Sequence, residues 1–170
     1  CLACKKNKVK KLVQFSTSEV YGSAKYTPID EKHPLQPQSP YSATKIGSDA
    51  LALSFHNSYG LNVTLARPFN TYGPRQSQRA IIPTIISQIM SGKKKIKLGS
   101  IYTKRDLTFV GDLCFAIYLI IKNYKKFGGE VFNIGSNNSI TVKAIFNLLN
   151  KILNKNCEIV FDKKRLRPEK

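Results

Sequence analysis

Tyr41 and Lys45 stand four residues apart in the run Tyr41-Ser42-Ala43-Thr44-Lys45, and this pair could carry acid–base chemistry. Four residues make about one helical turn, so both side chains leave the same face if the run is helical. A phenol has an ordinary pKa of about 10, and a nearby cation lowers that pKa. The pair could therefore remove a proton from a sugar or alcohol hydroxyl, although helix surfaces also carry such pairs without a chemical role.

The segment that must position this pair has clear start and stop signals for a helix. Ser39-Pro40 precedes Tyr41, and Gly60 follows an apolar pattern that continues to about Ser58. A small polar residue before proline favours a helix start, and glycine favours a helix end. The sequence therefore predicts one long helix that carries both side chains of the pair.

A second set of polar side chains follows the strand predicted over 9–17. Apolar residues give way there to Ser16 and Thr17, and Glu19 comes next. Residues two apart in a strand share a face, so we expect Thr17 and Glu19 to point into one cleft. Open α/β sheets bind ligands at the carboxyl ends of their strands, which makes this end a candidate site.

The rest of the chain alternates strand and helix patterns, and this alternation indicates an α/β fold with a mostly parallel sheet. Thr141 has the residue type of a helix N-cap. The predicted strands are 61–66, 96–98, 105–110, 130–134 and 158–161, the predicted helices are 80–90, 112–121 and 142–153, and the predicted loops are 22–40 and 67–75.

Composition and charge narrow the class of protein. The 170 residues are 42% hydrophobic with a net charge of +18, and no apolar run reaches the roughly 18–20 residues of a membrane span. The positive charge favours an anionic partner, either a diphosphate ligand or nucleic acid. The lysines are dispersed and no nucleic-acid-binding motif is present, so we expect no nucleic-acid partner.

The four cysteines lack the spacing of a zinc site. This favours reduced thiols, no metal and a cytoplasmic location.

The glycine-rich turn of dinucleotide-binding folds is absent, since the chain has neither G-x-G-x-x-G nor a P-loop. That turn belongs to the first strand–helix unit of such folds. We therefore expect the chain to be an internal piece of a longer protein.

Three motifs together carry a family resemblance. They are Ser16-Thr17-Ser18-Glu19-Val20-Tyr21-Gly22, Tyr41-Ser42-Ala43-Thr44-Lys45 and Arg67-Pro68-Phe69-Asn70-Thr71-Tyr72-Gly73-Pro74. In this order and spacing the chain resembles the extended short-chain dehydrogenase/reductases that act on nucleotide sugars, and among them the 4,6-dehydratases. It is most similar to the UDP-N-acetylglucosamine-type members.

The resemblance implies a fold, a cofactor and partners. The fold would be the second half of a Rossmann-type doubly wound parallel sheet, over 1–75, followed over 76–170 by part of a smaller substrate-binding domain with some returning Rossmann elements. The cofactor would be NAD and the substrate a nucleotide-diphosphate sugar. The helix that contains Tyr41 would form half of a four-helix homodimer interface.

The resemblance also implies catalytic roles. Thr17 would hydrogen-bond the sugar O4, Tyr41 would remove the O4 proton, and Lys45 would lower the phenol pKa and hold the nicotinamide ribose. Glu19 would remove the C5 proton before water leaves from C6. Many glucose-type members have Asp where this chain has Ser18, which leaves the identity of the general acid open; one interpretation is that Glu19 serves as both base and acid.

The remaining roles implied by the resemblance concern binding. The cofactor would be contacted by Ser16, Tyr41, Lys45, Pro68 and Phe69. The substrate would be contacted by Ser18, Asn70, Ile82, Pro83, Arg105 and Arg167.

Other functions stay open at this point. A nucleotide-sugar 4-epimerase or a UDP-glucuronate decarboxylase of the same fold would share most of these motifs, although epimerases usually lack a carboxylate at the position of Glu19. A basic module that binds polyanions is an alternative from a different class.

Overall fold

The structure is a computed structural model that describes residues 1–165, and it divides into two compact units. Unit 1 comprises Cys1–Thr71 and Thr108–Asn137, and unit 2 comprises Tyr72–Leu107 with the described part of Asn138–Lys170. The predicted division into a cofactor-binding part over 1–75 and a substrate-binding part over 76–170 stays a prediction.

Helices and strands alternate along most of the chain, which confirms the α/β fold class. The helices are α1 (Leu2–Lys6), α2 (Pro40–Tyr59), α3 (Ile81–Met90), α4 (Val110–Lys122) and α5 (Val142–Ile152), and the strands are β1 (Leu12–Phe15), β2 (Val63–Pro68), β3 (Asn70–Tyr72), β4 (Lys95–Leu98), β5 (Lys104–Phe109), β6 (Val131–Ile134), β7 (Ser139–Thr141) and β8 (Glu158–Phe161). Short 3₁₀ helices cover Ser18–Tyr21 and Lys163–Arg165.

Unit 1 is built on a parallel sheet with the strand order β1-β2-β6. Leu65 of the central strand stands opposite Gln14 on one side and Val131 on the other. Residues 63–67 of β2 are all buried, as is typical of parallel strands that are covered on both faces. This sheet confirms the predicted parallel arrangement.

The helix that carries the Tyr-Lys pair forms where the sequence predicts it. Ser39 Oγ accepts a hydrogen bond from Ser42 N, and Ser42 Oγ accepts one from Ser39 N, so the two serines cap the start reciprocally. Pro40 occupies the first turn, where its missing N–H costs no helical bond. Gly60 ends the helix in the left-handed conformation.

Unit 2 has its own apolar core, in which α3 and α5 pack on β4 and β8. The buried side chains of this core include Ile85, Ile96, Leu98 and Phe146. Strands β4 and β8 pair in parallel, whereas β5 and β7 pair antiparallel. Thr141 Oγ1 accepts a hydrogen bond from Ala144 N, which confirms the predicted N-cap of α5.

Two local predictions were wrong. The strand predicted over 9–17 covers only Leu12–Phe15, and Thr17 instead caps the 3₁₀ helix that follows. The loop predicted over 67–75 contains the end of β2 and all of β3. In both places, the state of the backbone depends on hydrogen bonds to residues that are distant in sequence.

Gly22 ends the 3₁₀ helix with a φ of +64°, and a Cβ atom there would lie 2.6 Å from the backbone oxygen of Gln36. We therefore expect Gly22→Ala to lower the free energy of unfolding by roughly 2–5 kcal/mol through backbone strain and overpacking. Gly60 has a similar φ of +65° but open space around it, so Gly60→Ala should cost only about 1 kcal/mol. Urea unfolding of both variants measures the difference, and equal losses would contradict the role of the close contact.

Candidate active site

The candidate site of unit 1 lies where β1 and β2 end side by side. Ser16 N donates to Ala66 O at 2.8 Å, and Phe69 N donates to Ile134 O at 2.9 Å, so the backbone stays aligned just beyond both strand ends. Because these strands are parallel, their carboxyl ends form one edge of the sheet. The segments that follow β1 and β2 therefore start from the same edge.

Tyr41 and Lys45 stand at the start of α2, and Lys45 reaches the end of β1. Lys45 Nζ donates to the main-chain oxygen of Phe15 at 2.9 Å and lies 5.9 Å from the centre of the Tyr41 ring. The Tyr41 side chain is 50% exposed, and its hydroxyl has no hydrogen-bond partner within residues 1–165. A cation held near an accessible phenol is an arrangement that can support proton removal from a hydroxyl.

Thr17 and Glu19 belong to a helical turn and not to a strand, so the expectation that they share a strand face was wrong. Thr17 Oγ1 accepts a hydrogen bond from Glu19 N at 3.2 Å and thereby caps the turn. This bond leaves the hydroxyl proton of Thr17 available for donation to another group. The Glu19 side chain is exposed, in keeping with a carboxylate that can meet a ligand.

Ser16 is buried, and its hydroxyl donates to Asp49 Oδ2 at 2.8 Å, so this hydroxyl already has an internal acceptor. Ser18 follows as the first residue of the 3₁₀ helix. Pro68 is the last residue of β2, Phe69 follows it, and Asn70 begins β3; all three are half-buried. The roles predicted for these five residues stay predictions.

The other predicted substrate contacts belong to unit 2 or lie beyond the described residues. Ile82 and Pro83 sit in the first turn of α3, where proline is tolerated, and both are half-buried. Arg105 lies in β5 opposite Ile140 of β7 and is half-buried. Arg167 lies outside the described residues.

A buried polar network beside the site was missed by the sequence analysis. Asp49 is 1% exposed and Arg67 is 4% exposed, and they form an ion pair with Nε and Oδ2 3.1 Å apart. Arg67 Nη1 donates to the Tyr21 hydroxyl at 2.9 Å, and this hydroxyl donates to Asn133 Oδ1 at 2.7 Å. Burial raises the pKa of Tyr21, and the hydrogen bond from Arg67 opposes that rise.

One sequence signal could have found this network. Asp49 follows Tyr41 and Lys45 at successive four-residue steps, so it lies on the same helix face as the pair. A carboxylate on the face that packs against a sheet needs a buried partner, and Arg67 is the last buried residue of strand β2.

A parallel α/β unit with a Tyr-x-x-x-Lys helix start beside its strand ends is typical of the short-chain dehydrogenase/reductase class. The family model described as "GDP-mannose 4,6 dehydratase" matches residues 1–170. The chain belongs to this family, which confirms the predicted group of nucleotide-sugar dehydratases and epimerases.

Named relatives and solved structures agree with this membership. A dTDP-glucose 4,6-dehydratase of Streptomyces niveus is 35% identical over 139 residues, which cover 82% of this chain and 41% of that protein. The structure of dTDP-glucose 4,6-dehydratase from Bacillus anthracis in complex with NAD is 38% identical with a TM-score of 0.86, over 95% of this chain and 52% of that one.

An epimerase is equally similar in fold. The UDP-N-acetylglucosamine 4-epimerase of Methanobrevibacter ruminantium, solved in complex with UDP-N-acetylmuramic acid, is 32% identical with a TM-score of 0.88 over 98% of this chain and 54% of that one. The chain thus spans about half the length, or less, of the proteins that it matches.

Proposed function

We propose that the complete polypeptide carrying this chain is an NAD-dependent nucleotide-sugar 4,6-dehydratase. The observation that carries the proposal is the exposed carboxylate of Glu19 next to the Thr17 cap, on a segment that leaves the sheet edge reached by Lys45. A dehydratase needs a second base for a carbon acid besides the base for the hydroxyl, and Glu19 supplies the second one.

The residues around Tyr41 fit a nicotinamide nucleotide. Lys45 offers a cation for ribose hydroxyls, Tyr41 offers an accessible phenol, and Pro68 and Phe69 offer half-buried apolar surface for a flat ring. NAD, when bound, would accept hydride from the sugar C4 and return it to C6, so it is unchanged after each turnover. The Bacillus anthracis relative was solved in complex with NAD.

The first proton transfer would take place at the sugar O4. The Thr17 hydroxyl would donate a hydrogen bond to O4, and the Tyr41 phenol oxygen would take the O4 proton. The positive charge of Lys45 would stabilise negative charge on that oxygen. Loss of the proton and of hydride turns C4 into a carbonyl carbon, which makes the hydrogen on C5 acidic.

The second proton transfer would take place at C5. Glu19 would take the C5 proton as the C6 hydroxyl leaves, and protonated Glu19 would return a proton to that hydroxyl so that water departs. Ser18 stands where many glucose-type members have an acid, so one carboxyl would perform both steps. When hydride returns to C6, C5 takes up one proton, equal in number to the proton that Tyr41 removed from O4. The products are then a 4-keto-6-deoxy sugar and one water.

Binding of the nucleotide diphosphate would involve Asn70, Arg105 and Arg167, with Ile82 and Pro83 near the sugar or base. Guanidinium groups suit phosphate oxygens because they donate in a planar fork. The net charge of +18 favours such an anionic ligand over a neutral one.

Other parts of the prediction concern assembly and location. The homodimer through α2, the cytoplasmic location and the UDP-N-acetylglucosamine-type substrate stay predictions. Within residues 1–165, none of the helices combines the length and the apolar character needed to span a bilayer.

A 4-epimerase is the second candidate, favoured by the similarity to the epimerase of Methanobrevibacter ruminantium. An epimerase shares the oxidation at C4 but needs no base at C5. The carboxylate of Glu19 would then have no role, which is why the dehydratase is preferred.

Product analysis by mass spectrometry tests the proposal. We expect the complete polypeptide with NAD to convert a dTDP- or UDP-hexose to a product lighter by one water, with no net reduced nicotinamide. An unchanged mass with inverted C4 would indicate the epimerase, and loss of carbon dioxide from UDP-glucuronate would indicate the decarboxylase. Salt-sensitive retention on DNA without turnover would indicate the polyanion-binding alternative.

A further inference from the structure

One carboxylate oxygen joins three elements of unit 1. Asp49 Oδ2 accepts from Ser16 Oγ at 2.8 Å and from Arg67 Nε at 3.1 Å. Asp49 lies on α2, Ser16 follows β1, and Arg67 lies at the end of β2. Tyr41 and Lys45 lie on the same helix, Thr17 and Glu19 follow the same strand β1, and Pro68 and Phe69 stand at the end of β2.

The same ion pair holds both ends of one short segment. Ser16 starts the segment and donates to Asp49, while Tyr21 ends it and accepts from Arg67 Nη1. Thr17 and Glu19 lie between these two anchors. Asn133, the register partner of Arg67 on β6, accepts from the Tyr21 hydroxyl and fixes its direction.

The pair has features that stability alone does not explain. Asp49 and Arg67 are nearly fully buried, and burying two charges carries a desolvation cost that apolar side chains of similar volume avoid. Asp49 Oδ1 has no hydrogen-bond partner within residues 1–165, so the two bonds to Oδ2 set the orientation of the carboxylate. Because hydrogen bonds are directional, these two bonds fix the relative positions of Ser16, Asp49 and Arg67 more closely than apolar contacts would.

We propose that Asp49 and Arg67 are positioning residues that hold the segment of residues 16–21 in register with the Tyr41 and Lys45 face of α2. The inference rests on the proposed function for its effect on catalysis, but its structural part stands without that function. The pair itself touches neither substrate nor cofactor; it sets the distance between the hydroxyl base on α2 and the Thr17 and Glu19 side chains.

Asp49→Asn in the complete polypeptide tests the proposal, with Ile120→Ala as the matched control. Asn keeps the shape of Asp but leaves the charge of Arg67 unpaired. Ile120 is buried in the core of the same unit, has no bond to the segment and lies outside the proposed machinery. Both variants should lower the melting temperature, so their comparison separates a general loss of stability from a local loss of position.

Hydrogen exchange is the readout that does not depend on activity. We expect Asp49→Asn to speed amide exchange in residues 16–21 by about tenfold or more, while Ile120→Ala leaves these residues unchanged below its melting temperature. Equal exchange in the segment for both variants would overturn the proposal. This result stands even if the wild-type protein turns out to release no water from a nucleotide sugar.

Steady-state kinetics provides the second readout. We expect Asp49→Asn to lower kcat about 10- to 100-fold with KM changed by less than about threefold, since misplacement affects the chemical step more than binding. Asp49→Glu, which restores the charge, should recover part of this loss. An Asp49→Asn enzyme with wild-type kcat would overturn the catalytic part of the proposal.

Tyr21→Phe provides a milder test if Asp49→Asn fails to fold. It removes only the hydroxyl between Arg67 and Asn133 and leaves the ion pair intact. We expect faster exchange in residues 18–21 and unchanged exchange at Ser16 and Thr17. Unchanged exchange throughout the segment would overturn the anchoring role of Arg67.

Discussion

We expect Tyr41→Phe in the complete polypeptide to lower kcat by about 1000-fold with little change in the affinity for the nucleotide sugar. The substitution removes the only oxygen of the side chain, and with it the base proposed for the O4 proton. General acid–base catalysis typically contributes between about 100- and 10,000-fold. Stability should stay unchanged, because within residues 1–165 the Tyr41 hydroxyl has no hydrogen-bond partner and the ring is half exposed.

Tyr59→Phe is the matched control for this experiment. Tyr59 lies on the same helix and is 56% exposed, and Lys5 Nζ lies 3.6 Å from its ring centre, a contact that Phe retains. We expect this variant to keep wild-type kcat. If Tyr41→Phe forms product at the same rate as the control, another group must remove the O4 proton.

Glu19→Gln separates the two halves of the proposed reaction. We expect oxidation at C4 to continue, so that reduced nicotinamide accumulates on the protein, while water loss falls by about 100- to 10,000-fold. Gln keeps the size and polarity of Glu but cannot take the C5 proton. The Glu19 side chain is exposed, so the substitution should leave the unfolding midpoint in urea unchanged.

Two measurements together check this prediction: absorbance of reduced nicotinamide in a single turnover, and the mass of the sugar product. Glu158→Gln in unit 2 removes an exposed carboxylate from the start of β8 and should leave both unchanged. Undiminished water loss in Glu19→Gln would rule out this carboxylate as the C5 base. The reaction would still be a dehydration, and another group would have to take the C5 proton.

Local signals made the helix of the site predictable. Serine and proline at its start and Gly60 at its end act on neighbouring backbone groups, so α2 could be bounded from the sequence to within about one residue. The N-cap of α5 at Thr141 was predictable for the same reason. Caps depend on residues a few positions apart, and such information is present in any short window of sequence.

The turn that bears Thr17 and Glu19 was not predictable in this way. Its conformation depends on Ser16 bonding to Asp49, 33 positions along the chain, and on Tyr21 bonding to Arg67, 46 positions along. The spacing of apolar residues carries no information about such long-range polar bonds. For this reason the predicted strand ran past Phe15, where the real strand ends. Strands β3 and β7 contain three residues each, which is too short for the alternation of apolar and polar residues to be recognised.

The bond from Lys45 to the main-chain oxygen of Phe15 bears on how this protein can vary in sequence. Every residue type has a carbonyl, so no side-chain replacement at position 15 deletes that acceptor. The Phe15 side chain is 46% exposed, which leaves room for other side chains there. Substitutions at position 15 should therefore leave the Lys45 ammonium in place. Its location depends on the backbone path of β1 instead.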